Sequence, residues 1–362
     1  MSGTSLDGVD AVLARFPAGG GIELVAHRHT ALDATLRSEL FALNSASENE
    51  LHRAALASNA LARRYADAVA GLLAQAGVDA GAVRAIGAHG QTVRHRPREF
   101  DGTGYTLQLL NAALLAELGR IDVVADLRSR DVAAGGQGAP LVPAFHRAIF
   151  ARPDKSIAVL NLGGIANLTV LDSDCTTIGF DCGPANTLMD QWCEQHLGHR
   201  FDAAGKWAAS GGVDTALLEV MLGDAYFALA PPKSTGRDHF NSQWIARALS
   251  AAPCSDPQAV QATLAELTAR VCATDVRRHA SGAVELLVCG GGAFNEHLMR
   301  RVTALLPGLA VRRTDERGLP AAQVEAAAFA WLACAHCHRR TASIPAVTGA
   351  AGPRVLGALY PA

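Results

Sequence analysis

Residues 161–190 read NLGGIANLTVLDSDCTTIGFDCGPANTLMD, and the reading of this stretch decides the fold. The apolar run Ile157-Ala158-Val159-Leu160 leads in, Gly163-Gly164 turns the chain, and Leu168-Thr169-Val170-Leu171 leads out. That spacing predicts a strand, a tight glycine turn and a second strand, a hairpin in which backbone N–H groups converge on an anion. A third short run, Thr177-Ile178-Gly179-Phe180, delivers Asp181, and Gly183-Pro184 then turns the chain into a helix starting near Asn186. A carboxylate is thereby expected at a strand end beside a helix N-terminus, where unpaired N–H groups and the dipole favour an anionic ligand. The blander reading of the same residues is a buried hairpin with Asp181 as a helix N-cap.

Glycine-rich turns elsewhere favour the ligand reading. The chain opens MSGTSLDGVDAVLARF, a turn rich in Gly, Ser and Thr that enters an alternating strand at residues 9–14. Such a turn offers N–H and hydroxyl donors to a phosphate, with Asp7 available to a metal or its water. It lacks the GK[ST] of a P-loop, which excludes that route to a nucleotide. Residues 47–75 have helical apolar spacing and stop at Gly77. A short buried strand, residues 85–88, then ends in His89-Gly90-Gln91, so a His and a Gln sit just past a strand end, where polar ligands bind. The strand at residues 121–126 ends in Asp126-Leu127-Arg128-Ser129-Arg130-Asp131, a charge run that reads as a solvated loop at the crossing between two lobes. Further on, residues 257–279 form a long helix. Residues 284–289 form a strand that runs into Gly290-Gly291-Gly292-Ala293-Phe294-Asn295, a junction open to a flat or anionic ligand. Residues 323–335 are helical, with Glu325 in the first turn.

At 362 residues the chain exceeds the usual size of one core, and two domains with a ligand cleft are expected. Hydrophobic residues at 49% and charged residues at 18% describe a globular enzyme. No apolar run is long enough for a membrane span, no charged-then-apolar leader is present, and a net charge of -2 speaks against a nucleic-acid footprint. The eight cysteines are scattered, which predicts buried thiols in a reducing cytoplasm. Cys334-Ala335-His336-Cys337-His338 continues a helical pattern with no second CxxC pair, which speaks against zinc.

Taken together these motifs resemble the sugar-kinase and actin superfamily, and more narrowly the 1,6-anhydro-N-acetylmuramic acid kinases. The resemblance runs through MSGTSLDGVDA, GAHGQTVRH, ADLRSRDVAAGGQGAPLVPAFH, NLGGIANLT, GFDCGPANTLMD, PPKSTGRDHFN and CGGGAFN, nearly the whole chain in the family's order. It implies an α/β fold of two actin-like, ribonuclease H-like lobes with an interlobe nucleotide and sugar cleft. The lobes are placed at residues 1–127 and 128–362, the final residues returning to the first. It implies a first phosphate loop at Gly3, Thr4, Ser5, Leu6, Asp7, Gly8, Val9 and Asp10, a second at Leu162–Asn167 with Gly163 and Gly164 at its turn, and part of a nucleoside pocket at Gly290–Asn295, through Gly290, Gly291 and Asn295. Asp181 would be the catalytic base and Glu325 would support the reactive water. His89, Gln91, Asp126, Arg128 and Lys233 would touch substrate or phosphate. ATP and Mg2+, anhydro-N-acetylmuramic acid as substrate, a homodimer and a cytoplasmic setting complete the implication. Members of that family carry an apolar strand before SGTSLDG, whereas here the loop begins at Met1; the reading expects a start upstream of the given one and a first phosphate loop altered by its loss.

The chemistry explains the carboxylate. In a 1,6-anhydro sugar O6 is tied to C1 and has no proton to lose, so transfer needs a water activated for attack at C1. The rivals are an ordinary sugar kinase of the same fold, an ATPase in the manner of actin or a chaperone, and an inactive binding module.

Overall fold

The computed structural model describes all residues except Thr4, Ser5 and Asp7, which fall within the expected first phosphate loop. The strands, in chain order, are β1 (Gly8–Arg15), β2 (Glu23–Ala31), β3 (Ile86–Gly87), β4 (Gln91–Pro97), β5 (Gly104–Leu109), β6 (Val123–Ala125), β7 (Ser156–Leu162), β8 (Ile165–Leu171), β9 (Thr177–Pro184), β10 (Ala283–Cys289), β11 (Ala310–Arg313) and β12 (Ala358–Tyr360). The chain forms two compact α/β units, Met1–Ile149 with Gln323–Ala362, and Phe150–Ala322.

The second unit is built on one five-stranded sheet in the order β11-β10-β7-β8-β9. β7, β8 and β9 form an antiparallel meander, and β10 and β11 add in parallel on the other side of β7. This is the strand order of a ribonuclease H-like lobe. The helix Pro257–His279 packs on this sheet and is buried along most of its length. Asp256 caps its first turn, Pro257 occupies the position where a missing N–H costs nothing, and Arg277, Arg278 and His279 face the negative end of its dipole. Thr268 ties it to the sheet by donating to the Pro184 carbonyl at 3.1 Å.

In the first unit β1 and β2 form an antiparallel hairpin, β4 and β5 form another, and β12, β6 and β3 form a small sheet in which β3 and β6 are parallel. The helix Glu50–Ala76, stopped by Gly77 in the left-handed region (φ 64°), supplies Leu61, Ala62, Tyr65 and Ala68 to a core shared with Val9, Leu40 and Leu115. A second cluster joins Val124, Leu127 and Leu141 to Phe329 and Leu332 of the helix Val324–Cys337. That helix lies so close to β3 that a Cβ on Gly87 would collide with the Phe329 carbonyl.

The charged run after β6 is not a solvated loop. Asp131 is completely buried and accepts from the Gly138 N–H and the Thr348 hydroxyl, both at 2.8 Å. Those bonds tie residues 128–149 into the first unit, although the sequence reading places them in the second lobe. Of the eight cysteines, Cys182, Cys193, Cys272 and Cys289 are buried, whereas Cys175 is exposed.

Burial holds the pKa of His146 down to about 3, from an ordinary 6.5. Between those values the unfolded chain takes up the proton and the folded chain does not. The stabilisation is therefore complete above about pH 6.5 and is lost as the pH falls toward 3. By pH 5 the loss is about 2 kcal/mol at 1.36 kcal/mol per unit. Thermal melts at pH 7 and pH 5 are expected to show a smaller drop in Tm for His146→Gln than for wild type. An equal drop would assign the acid sensitivity to other groups.

Candidate active site

Asp181 lies inside β9 rather than at its end. Cys289, Asn161, Asn167 and Asp181 are register partners across β10, β7, β8 and β9. Their side chains form a polar row. Cys289 Sγ donates to Asn161 Oδ1 at 3.8 Å, Asn161 Nδ2 donates to Asn167 Oδ1 at 3.1 Å, and Asn167 Nδ2 reaches Asp181 Oδ1 at 3.4 Å. The other carboxylate oxygen, Oδ2, accepts the Thr235 N–H at 3.0 Å. A bulge helps set this aim: Ala166 pairs with Gly183 and Asn167 with Asp181, leaving Cys182 as the extra residue. Asp181 is not a helix cap. The helix Asn186–Leu197 begins after Ala185 without a side-chain cap.

The helix N-terminus also differs from expectation. The Ala185 and Thr187 N–H groups donate to the Gly164 carbonyl at 3.0 and 3.1 Å, and the Asn186 N–H donates to the Gly163 carbonyl at 3.0 Å. These N–H groups hold the hairpin turn, so they are not free to meet an anion. Close approach is the constraint here: a Cβ on Gly164 would sit 2.7 Å from Thr187 Oγ1, whereas one on Gly163 would make only ordinary contacts. At the β10 end, Gly290 has φ 82°, and a Cβ there would strike Asn161 Oδ1 and, at 2.8 Å, the Leu162 carbonyl. The second glycine turn, the polar row and the glycine junction after β10 are thus neighbours. Asn295 caps the helix Glu296–Leu305 through Oδ1, and Gly291 is exposed beside it.

Lys233 turns its ammonium to a buried carboxylate. Its side chain is buried and lies 3.5 Å from Asp275 Oδ2.

In the first unit, His89 and Asp126 follow the ends of the parallel strands β3 and β6. His89 Nδ1 donates to the Ser2 carbonyl at 3.3 Å, which leaves Nε2 to accept from Arg128 Nε and Nη2 at 3.1 and 2.9 Å. Burial, then the Arg128 charge, holds the His89 pKa well below 6.5. A neutral imidazole with both nitrogens engaged orients Arg128 rather than moving protons. Gln91 is buried, and its Oε1 has no hydrogen-bond partner among the described residues. Asp126 is exposed, in the left-handed region (φ 52°), and accepts from the Ser129 hydroxyl. Glu325 is exposed in the first turn of Val324–Cys337. Asp10 Oδ1 is engaged by His27 and His29 at 3.3 and 3.0 Å, and the His29 ring lies over Gly8. Val9 and Leu6 are core residues, and the Gly3 carbonyl accepts from the Leu6 N–H. The metal reading at Asp7 lies outside the described residues, among which no group of three or more His, Cys, Asp and Glu side chains could hold a metal ion.

The sequence profile of the anhydro-N-acetylmuramic acid kinase family matches residues 1–362. The chain belongs to that family. Anhydro-N-acetylmuramic acid kinases of Albidiferax ferrireducens and Variovorax paradoxus are each 58% identical to it, over alignments of 382 and 367 residues that cover 100% of this chain and 98% of each relative. The Bordetella pertussis anhydro-N-acetylmuramic acid kinase is also 58% identical, over 365 residues, covering 100% of this chain and 95% of the relative.

In this anhydro-N-acetylmuramic acid kinase family member, sequence reading missed Asn161, Tyr226 and Thr235 around Asp181, and it gave Asn167 only as the end of the second phosphate loop. Tyr226 donates its hydroxyl to the Asp181 carbonyl at 2.7 Å. The two asparagines carried a usable signal. Folding residues 157–171 about a loop at 163–165 places Asn161 opposite Asn167.

Proposed function

We propose that the protein uses ATP and water to convert 1,6-anhydro-N-acetylmuramic acid to N-acetylmuramic acid 6-phosphate and ADP, a step in reuse of cell-wall sugars. The observation that carries the reading is the Asp181 carboxylate, oriented through both oxygens on the sheet that also presents the two glycine junctions. Asp181 takes a proton from a water as its oxygen bonds to C1. The C1–O6 bond breaks, O6 attacks the γ-phosphorus, and ADP leaves. Glu325 supports the water, and Arg128, held by His89, offers charge to the sugar or a phosphate. Gly164 and Gly290 let backbone approach the nucleotide where a side chain would collide. Magnesium, when bound, offsets charge on the β- and γ-phosphates. We extend the family likeness to a homodimer acting in the cytoplasm.

Incubation with ATP, magnesium and the anhydro sugar, followed by mass analysis, is expected to give the 6-phosphate and ADP in equal amounts. ADP without sugar turnover would point to an actin-like ATPase, and phosphorylation with the anhydro bond intact to an ordinary sugar kinase.

A further inference from the structure

Only three of the 32 basic residues are lysines, and one of them, Lys233, is among the most deeply buried charges in the chain. Its side chain is 2% exposed and that of its partner Asp275 is 3% exposed. Neither Lys233 Nζ nor Asp275 Oδ2 makes a hydrogen bond among the described residues. The ammonium is instead held by charge and by the Phe180 and Tyr226 ring faces, whose centroids lie 5.5 and 5.1 Å away. Burying such a pair is costly, so it carries weak weight as a stabilising device. Its location suggests another role.

Residues 231–236 have no regular secondary structure and run past β9. Within them, the Lys233 carbonyl accepts the Asp181 N–H at 3.1 Å, and the Thr235 N–H donates to Asp181 Oδ2 at 3.0 Å. The residue beside Asp181 on the strand, Phe180, supplies one of the two rings that hold the ammonium, and Tyr226, which supplies the other, hydrogen-bonds the Asp181 carbonyl. One residue therefore touches the proposed base through its backbone and is locked into the core through its side chain.

We propose that Lys233 is a positioning residue: its ammonium, anchored by Asp275, Phe180 and Tyr226, pins the 231–235 segment whose backbone aims the Asp181 carboxylate. This rests on the reading of Asp181 as the base, and it reassigns Lys233 from substrate contact to support of that base. A lysine suits the place because its compact ammonium fits between two rings, where a planar guanidinium needs more room and more acceptors.

The test compares wild type, Lys233→Met, Lys233→Arg and the double variant Lys233→Met/Asp275→Asn, which leaves no lone buried charge if the single variants fail to fold. Steady-state kinetics with the anhydro sugar and magnesium-ATP are expected to show kcat lowered by about 10- to 100-fold, as for a misplaced catalytic group. KM for both substrates should stay within about threefold, because a positioning loss falls on the transition state. Hydrogen exchange of the folded double variant should speed up in peptides covering residues 178–182 and 231–238, while residues 257–279 stay protected. Wild-type kcat in the folded double variant, a raised KM for the sugar with kcat unchanged, or unaltered exchange in both peptides would each overturn the proposal. If wild type fails to turn over the anhydro sugar, the functional reading fails, and the exchange result still decides whether Lys233 pins the segment.

Discussion

Asp181→Asn is expected to lose ring opening and ADP formation together, by about 10²–10⁴-fold, while still binding both substrates. The size follows from the role proposed for the residue. Without a base, water does not attack C1, and without that attack O6 is never released to meet the γ-phosphate. The geometry adds a local cost, because both carboxylate oxygens receive N–H donors, from Asn167 and from Thr235. The amide of the variant has one oxygen and one NH2, so one of those donors must face another donor. Asn167→Asp in the same background exchanges an amide for an acceptor and should relieve that clash without restoring turnover. Water labelled with oxygen-18 makes the coupling visible: wild type should place the label at C1 of the sugar and none in the new phosphate, and the variant should accumulate neither labelled sugar nor ADP. ADP at the normal rate without ring opening, or label in the phosphate, would remove Asp181 as the base of a coupled reaction.

Why the polar row was only half legible has a physical reason. Asp181 stands out in GFDCGPAN, but a lone carboxylate at the end of an apolar run reads equally well as a helix cap. Its place inside β9 depends on the bulge at Cys182, which pairing with β8 produces. Local features were legible where local physics decides them. Gly77 ends its helix by adopting a left-handed conformation, and the helix Pro257–His279 has its Pro at the start and its basic residues at the end. Contacts between distant segments were not legible. The run Asp126 to Asp131 has the composition of a surface loop. Asp131 is buried because Thr348, 217 residues away, and Gly138 satisfy it. The partner of Lys233 was hidden for the same reason: a lysine in a polar loop reads as a ligand contact, and Asp275 stands on a distant helix. Contacts between distant segments also decide where the units divide: residues 323–362 and residues 128–149 both group with the first unit.

Magnesium-ATP is expected to raise the Tm of wild type by several degrees, and Gly164→Val is expected to abolish the rise. A ligand that binds only the folded state adds about 2.7 kcal/mol at a hundred times its Kd. The turn of the β7–β8 hairpin is where that ligand should be felt, but the reason glycine is needed there differs between its two residues. Neither adopts a positive φ. Gly163 has ordinary space around it, whereas a Cβ on Gly164 meets the buried Thr187 hydroxyl at 2.7 Å. A β-branched side chain at residue 164 must therefore push the turn away from the helix Asn186–Leu197, breaking the bonds from Ala185 and Thr187 to the Gly164 carbonyl. Because those bonds already use the helix N–H groups, the remaining donors for a phosphate are those of the turn itself, and they move with it. Gly163→Ala should keep most of the nucleotide shift. Structural damage is separated from lost binding by Gly164→Ala in a Thr187→Ala background, where the colliding hydroxyl is gone. That double variant should melt close to wild type without nucleotide and regain part of the shift with it. A folded Gly164→Val protein with the full wild-type shift would remove this hairpin from the nucleotide site.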